Sequence, residues 1–247
     1  MTPSQAKVVA TLLSLLGGGT GAWGLIYPHP YPFVVFLLGL LPLVSIALAA
    51  WSRGTFQLAG RRDDRRPNLA YLLMLPGFVL GARAIWDIHL VDWKPALLVA
   101  VVLALLLMFA VSRADMQIVL ADQTSARFVV AIAVLGMASM YCYGAIAEAD
   151  MLLDSTTTPE TYRVAVVRKH VSHGKNHDTP YLTLDPWGPR TDTSSVSVSW
   201  PTYNAVVLGQ TVCINLRPGA LKLPWYTLYL CDGTAGGQQS PTPTVVF

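Results

Sequence analysis

Three histidines close together in the sequence are the residues best suited to hold a metal ion. His170, His173 and His177 are separated by two and three residues, and Asp178 follows the last of them. Imidazole and carboxylate groups at such spacing can bind a transition metal if one loop brings them together. Alternatively, the segment forms the solvated tip of a hairpin, in which His170 and His177 need not face the same way. We favour this alternative and predict no metal site.

Four ionisable residues at the end of an apolar stretch could form a polar site at the outer face of a membrane. They are Arg83, Asp87, His89 and Asp92. Acid-base and transport chemistry in membranes normally uses ionisable residues near the midplane, whereas these four are expected at the periphery. Arg83 can extend its side chain towards water or pair with Asp87, four residues later on the same helix face. This outer-mouth set is the candidate site of a transporter, channel or membrane enzyme.

Other motifs that would carry chemistry are absent from the sequence. There is no HExxH pair, no GxSxG elbow and no phosphate loop, since the glycine run near residue 18 is not followed by Lys-Ser or Lys-Thr. The spacing of Gly17 and Gly21 indicates close helix packing instead. His29 and His89 could ligate haem or border a quinone, but both are flanked by Pro or Trp, as expected at a membrane interface without a ligand. We therefore expect no cofactor.

The elements that position these residues begin with five apolar stretches. They cover residues 8–26, 33–51, 69–86, 96–111 and 128–147. Each has close to the ~20 residues that a helix needs to cross a ~30 Å hydrocarbon core. Hydrophobic residues make up 53% of the chain and charged residues 13%, roughly half the charge of a soluble domain. We predict an α-helical membrane bundle of five transmembrane helices over residues 1–150.

The distribution of positive charge predicts the orientation of this bundle. One loop, after the second apolar stretch, holds a cluster of arginines: Arg53, Arg61, Arg62, Arg65 and Arg66. By the positive-inside rule, this loop and the N-terminus are cytoplasmic. We expect the first apolar stretch to be retained as a span and not cleaved as a signal peptide. The odd number of spans then places the C-terminal segment on the far side of the membrane. Glu148, Asp150 and Asp154 are expected to continue the fifth helix into water on that side.

The exported segment changes from apolar runs to the period-two alternation of β-strands. Five short stretches are rich in Val, Tyr, Thr and Trp, at residues 162–171, 181–185, 196–200, 211–216 and 225–231. We predict a small all-β domain over residues 151–231, with about five antiparallel strands in a sheet or partly closed barrel. The remaining residues, 232–247, are rich in Gly, Gln, Ser, Thr and Pro and are typical of a disordered tail.

Two of the three cysteines lie on strands that one hairpin would join. If the turn centres near Lys222, Cys213 and Cys231 are opposite each other, and opposed Cβ atoms in a non-hydrogen-bonded pair lie at disulfide distance. An exported domain also offers an oxidising compartment. We predict a Cys213–Cys231 disulfide, and a free, buried thiol at Cys142 within the fifth apolar stretch.

Several short runs resemble bacterial polytopic inner-membrane proteins of unknown function that carry a C-terminal extracytoplasmic β-domain. The similar runs are 60–67, 186–189, 203 with 209–213, and 218–221 with 224–226. The resemblance covers the chain from about residue 30 to residue 231. It implies a bacterial inner-membrane setting and carries over no active site. In that setting, the orientation predicted from the positive charges gives a cytoplasmic N-terminus and a periplasmic β-domain.

The functional interpretation follows from where the polar residues lie. We predict a non-enzymatic membrane protein whose β-domain contacts another membrane or exported protein, as an assembly factor, accessory subunit or immunity-type binder. Trp187, in a turn between two prolines, is the candidate contact residue, and a Trp folded over the open end of the barrel is the equal alternative. The bilayer is the other expected partner. The net charge of +3 implies no nucleic-acid partner, because topology already explains the arginine cluster.

Overall fold

The computed structural model describes residues 3–52, 55–56, 67, 69–113, 124–174 and 178–231. The arginine-rich loop and the tail 232–247 lie outside these ranges. The chain divides into two compact units. The helical unit comprises Met1–Ile88 and Asp92–Leu153, and the β-unit comprises His89–Val91 and Asp154–Phe247. The β-unit therefore includes His89–Val91, which lie within the range 1–150 predicted for the helical bundle.

The helical unit contains five long helices. They are α1 (Pro3–Ile26), α2 (Tyr31–Trp51), α3 (Ala70–Asp87), α4 (Lys94–Arg113) and α5 (Thr124–Leu152). In the described part of the chain, three helical segments are long and apolar enough to cross a membrane: Gln5–Ile26, Tyr31–Trp51 and Ile132–Leu152. These apolar helices agree with the membrane class that composition predicts. The number of five spans stays a prediction.

Helix α3 packs against α1, α2 and α5, and α4 packs against α5. Small residues allow these close contacts. A Cβ atom added at Gly144 of α5 would lie 2.7 Å from the backbone of Gly81 in α3. Neither helix therefore has room for a larger side chain at this contact. Gly17 and Gly21 of α1 face Leu72 and Leu75 of α3 in the same way, as their spacing predicts.

The β-unit is a curled antiparallel sheet of six strands in the order β1-β6-β5-β2-β3-β4. The strands are β1 (His89–Leu90), β2 (Glu160–His173), β3 (Asp178–Leu184), β4 (Ser194–Ser197), β5 (Thr211–Arg217) and β6 (Trp225–Leu230), with a short helix α6 (Trp200–Ala205) after β4. Each of the five predicted strands overlaps one of these. The sixth, β1, was not predicted, because two residues are too few to show any periodicity.

The long strand β2 gives the sheet its curl. Its first half pairs with β5 and its second half pairs with β3, and the register shifts between Val166 and Arg168. Such a bulge bends a strand and increases its twist. The core of the unit is built from alternating residues of several strands: Val164, Val166, Leu182, Leu184, Val196, Val212, Ile214 and Tyr226, with Trp187 and Val206 from the connections.

Candidate functional site

Of the predicted outer-mouth set, the structure brings Arg83 and Asp87 together. Their Nη1 and Oδ2 atoms are 3.4 Å apart. Arg83 is only 4% exposed, and it also donates to two carbonyl oxygens of α1, from Nε to Gly24 and from Nη2 to Leu25, each at 2.7 Å. The last carbonyls of a helix lack partners within it. Arg83 therefore supplies hydrogen-bond donors to the last carbonyls of α1 instead of forming part of an open outer-mouth site.

Tyr31 and Glu148 join this pair, and neither residue was predicted from the sequence to lie there. The Tyr31 hydroxyl lies 2.8 Å from Glu148 Oε1 and 3.3 Å from Asp87 Oδ2. We call Tyr31, Arg83, Asp87 and Glu148 the buried polar cluster. Glu148, an acidic residue inside an apolar helix, was the sequence signal that could have indicated a buried polar site.

The expectation that Glu148 and Asp150 extend into water is wrong. Glu148 is 1% exposed and Asp150 is fully buried. Helix α5 ends at Leu152, so both carboxyl groups lie in its last two turns, whereas Asp154 lies beyond the helix and is half-buried. The sequence could not show which face of α5 points inwards, because apolar residues occur on every face of this helix.

His89 and Asp92 have separate local roles. His89 belongs to β1, where its ring stacks on Tyr226 with a centroid distance of 5.5 Å. Burial and the nearby Arg190 guanidinium hold the pKa of His89 below its usual 6.5. Asp92 is exposed, and its Oδ1 accepts a 3.0 Å hydrogen bond from the backbone N–H of Lys94 at the start of α4. The described contacts thus unite only two of the four predicted residues.

The histidine segment forms local contacts across one hairpin. His170 stacks on Tyr181 at 5.2 Å, and His173 Nδ1 lies 3.0 Å from Asp178 Oδ1 on the neighbouring strand. His177 lies outside the described residues. Among the residues that the structure does describe, no three His, Cys, Asp or Glu side chains form a group that could hold a metal.

The predicted disulfide is present, but the register behind it differs from the prediction. Cys213 is bonded to Cys231, with Cα atoms 5.1 Å apart, and Cys142 is free and buried. The residue opposite Cys213 is Tyr229, two positions before Cys231. Strand β6 ends at Leu230, so Cys231 lies just beyond the paired segment and its backbone is not fixed by the ladder.

Trp187 is a core residue, the alternative that the sequence left open. It is 5% exposed, and its ring packs between Tyr162 and Tyr226 with centroid distances of 5.7 and 5.0 Å. The turn that carries it is closed by a bridge to Arg190, and Gly188 adopts a positive φ of 42°. A buried indole of this kind has no surface to offer a partner protein.

Six large apolar side chains of the described β-unit are exposed: Val167, Trp200, Val207, Leu208, Leu221 and Tyr229. Three of them lie on α6 and the loop that follows it. Trp200, Val207 and Leu208 are 45%, 67% and 62% exposed. We call these three residues the β-unit patch. Lys169 fixes this segment to the sheet: its Nζ donates to the carbonyl oxygens of Tyr203 and Val206 at 2.6 and 2.5 Å.

The loop of the patch is also held by backbone hydrogen bonds to β2. The N–H of Gly209 donates to the carbonyl of Val166, and the N–H of Val166 donates to that of Gln210, at 2.9 and 3.0 Å. The patch is therefore a fixed surface. Large apolar side chains exposed together on a rigid scaffold are a common feature of contact sites.

An apolar cavity of about 80 Å³ lies within the helical unit. Helices α2, α3, α4 and α5 contribute to its lining, which is apolar except for Tyr141, and the Tyr141 hydroxyl donates to the carbonyl of Gly39 at 2.7 Å. No member of the buried polar cluster lines this cavity.

Comparison with protein-family models, with curated proteins and with solved structures gives no match.

Proposed function

We propose that this is a non-enzymatic integral membrane protein that presents its β-unit to another membrane or exported protein, as an assembly factor, accessory subunit or immunity-type binder. The observation that carries the proposal is the β-unit patch. Its three large side chains are exposed and are held on a disulfide-linked sheet. A preformed apolar surface loses little conformational entropy on binding, which favours a stable contact.

The alternative, a transporter, channel or membrane enzyme built on the outer-mouth set, has less support. Arg83 is engaged with two helix carbonyls and with Asp87, contacts that stabilise the fold. The apolar cavity offers no polar lining that would guide an ion or a polar substrate.

The proposal includes a location. It is a bacterial inner membrane, which the chain crosses five times with a cytoplasmic N-terminus and a periplasmic β-unit. The five apolar stretches, the positions of the arginines and the resemblance described above support this location. The Cys213–Cys231 disulfide is compatible with this location, because disulfides persist in oxidising compartments outside the cytoplasm.

A site-specific photo-crosslinking experiment tests the proposal. A photoreactive amino acid at Leu208 should give one protein adduct in intact membranes, whereas the same amino acid at the exposed Thr193, outside the patch, should not. The adduct partner should also co-purify with the wild-type protein in mild detergent and be lost from the Leu208→Asp variant. Adducts of equal yield from both positions, or adducts to lipid alone, would contradict a protein partner at the patch.

A further inference from the structure

The hydroxyl group of Tyr31 lies between two carboxyl groups. Its oxygen is 2.8 Å from Glu148 Oε1 and 3.3 Å from Asp87 Oδ2. A phenol carries one proton and can donate it to one acceptor only. If both carboxyl groups were ionised, one of these two contacts would join lone pairs without a proton between them. The arrangement therefore calls for one additional proton.

The contacts of the two carboxyl groups show where that proton belongs. Asp87 is paired with the Arg83 guanidinium, which stabilises its ionised form. Glu148 is 1% exposed, and its Oε2 has no hydrogen-bond partner among the described residues. A buried carboxylate with an unsatisfied oxygen is costly, whereas the carbonyl oxygen of a neutral acid is a weaker acceptor and costs less when unpaired. The extra proton fits Glu148 better than Asp87.

The charged and titratable groups that face Glu148 come from two neighbouring helices. Tyr31 belongs to α2, and Asp87 and Arg83 belong to α3. Asp150, two residues further along α5, is also buried. An ionised Asp87 close by disfavours a second negative charge on Glu148, which again favours the neutral acid.

We propose that Glu148 is a proton-binding site, neutral when it donates from Oε1 to the Tyr31 oxygen, while the Tyr31 hydroxyl donates to Asp87 and Asp87 accepts from Arg83. This order satisfies each contact with one proton. If Glu148 releases its proton to water, the Tyr31 proton turns to the new Glu148 carboxylate, and Asp87 keeps Arg83 but loses the phenol.

The site connects the ends of four helices. Glu148 lies on α5, Tyr31 on α2, and Asp87 and Arg83 on α3, and Arg83 reaches the last carbonyls of α1. Gain or loss of one proton at Glu148 thus changes hydrogen bonds in which α2, α3 and α5 take part. The inference does not depend on a partner for the β-unit, since all the residues belong to the helical unit.

Infrared spectroscopy of the full-length protein in lipid nanodiscs tests this inference. At pH 7 the wild type should show the carbonyl stretch of one buried protonated carboxylic acid. Glu148→Gln should lose this band, because the amide replaces the neutral acid, and should fold normally. Asp87→Asn should retain it. Tyr31→Phe should also retain it, at a shifted frequency, because the acid loses its hydrogen-bond acceptor.

Several results would overturn the inference. A band that persists at full intensity in Glu148→Gln, or the absence of any such band in the wild type, would show that Glu148 is ionised. Loss of the band in a folded Asp87→Asn variant with retention in Glu148→Gln would place the proton on Asp87. Failure of Glu148→Gln to fold would also count against a neutral Glu148, since Gln is its uncharged isostere. If Asp87→Asn does not fold, the spectra of the wild type, Glu148→Gln and Tyr31→Phe still show whether Glu148 carries the proton.

Discussion

The side chain of Arg83 completes the last turn of a helix to which it does not belong. Its Nη2 donates a 2.7 Å hydrogen bond to the carbonyl oxygen of Leu25 in α1, while Nη1 of the same guanidinium contacts Asp87 in its own helix. The planar guanidinium fork of an arginine has enough N–H donors to serve two helices at once. This geometry gives Arg83 a structural role in the helical unit.

Replacing Arg83 should therefore destabilise the protein. Arg83→Gln leaves the partly buried Asp87 carboxylate without its cation and two carbonyls of α1 without their donor, and should cost about 3 kcal/mol. Thermal unfolding in detergent measures the effect, with Lys94→Gln at an exposed position as the control. If Arg83→Gln is as stable as the wild type and yet abolishes the cellular activity, the outer-mouth site becomes the better account of function.

The disulfide should make a large contribution to the stability of the β-unit. It closes a loop with a sequence separation of 18 residues, which is worth about 3 kcal/mol in the chain-entropy model. Replacing both Cys213 and Cys231 by Ala should lower the unfolding temperature, whereas Cys142→Ala tests for an effect of thiol removal alone. Digestion without reductant should yield one linked peptide pair, and alkylation of both cysteines in protein from an oxidising compartment would contradict the bond.

Two tryptophans of the β-unit should respond in opposite ways to truncation. Trp187 is buried between two tyrosines, so Trp187→Ala should cost about 3–5 kcal/mol of stability. Trp200 is exposed and belongs to the β-unit patch, so Trp200→Ala should change stability little and weaken partner capture. Circular dichroism melts and co-purification separate the two effects. Loss of capture without loss of stability in Trp187→Ala would reverse these assignments.

His89 should make the stability of the β-unit depend on pH. Burial and Arg190 lower the pKa of His89 from 6.5, so the folded protein binds this proton less tightly than the unfolded chain. The stabilisation is complete above pH 6.5 and is lost as the pH falls towards the folded-state pKa. Thermal melts of the wild type should thus fall between pH 7 and pH 5 more steeply than those of His89→Asn. Equal slopes for both proteins would show that His89 does not contribute.

The proposed orientation of the chain can be tested by labelling single cysteines in intact cells. Cysteine at position 58 should react only after the inner membrane is made permeable, and cysteine at positions 29, 92 and 200 should react before. A Cys142→Ala background removes the buried thiol, and each variant also carries the Cys213 and Cys231 pair, which does not react while oxidised. A protected residue 200 would mean that the number of spans is even.

The apolar helices and most strands could be predicted because their signal is long and repetitive. The residues that form the buried polar cluster could not be predicted in this way. Five nearly uniform apolar helices do not show which face points inwards, so Glu148 was placed in water, whereas it contacts Tyr31. The cysteine pairing was predicted correctly from a register that is two residues wrong. A hairpin with several residues in its connection allows more than one register, and the position of the turn decides between them.

The patch was also beyond sequence reasoning, for a different reason. Trp187 and Trp200 both lie next to proline in the sequence, and their local patterns do not separate a buried ring from an exposed one. The difference comes from long-range contacts: Tyr226 packs on Trp187, while Lys169 holds the segment that follows Trp200.

The two-residue strand β1 has a consequence for how the chain is made. His89 and Leu90 leave the ribosome before α4 and α5, but their partners on β6 are synthesised only after α5 and the strands β2 to β5. The pairing closes a very long loop, which makes it a late event in folding. Until then the edge of β6 is open to pairing with other chains. The newly made protein is therefore more exposed to aggregation than the finished one.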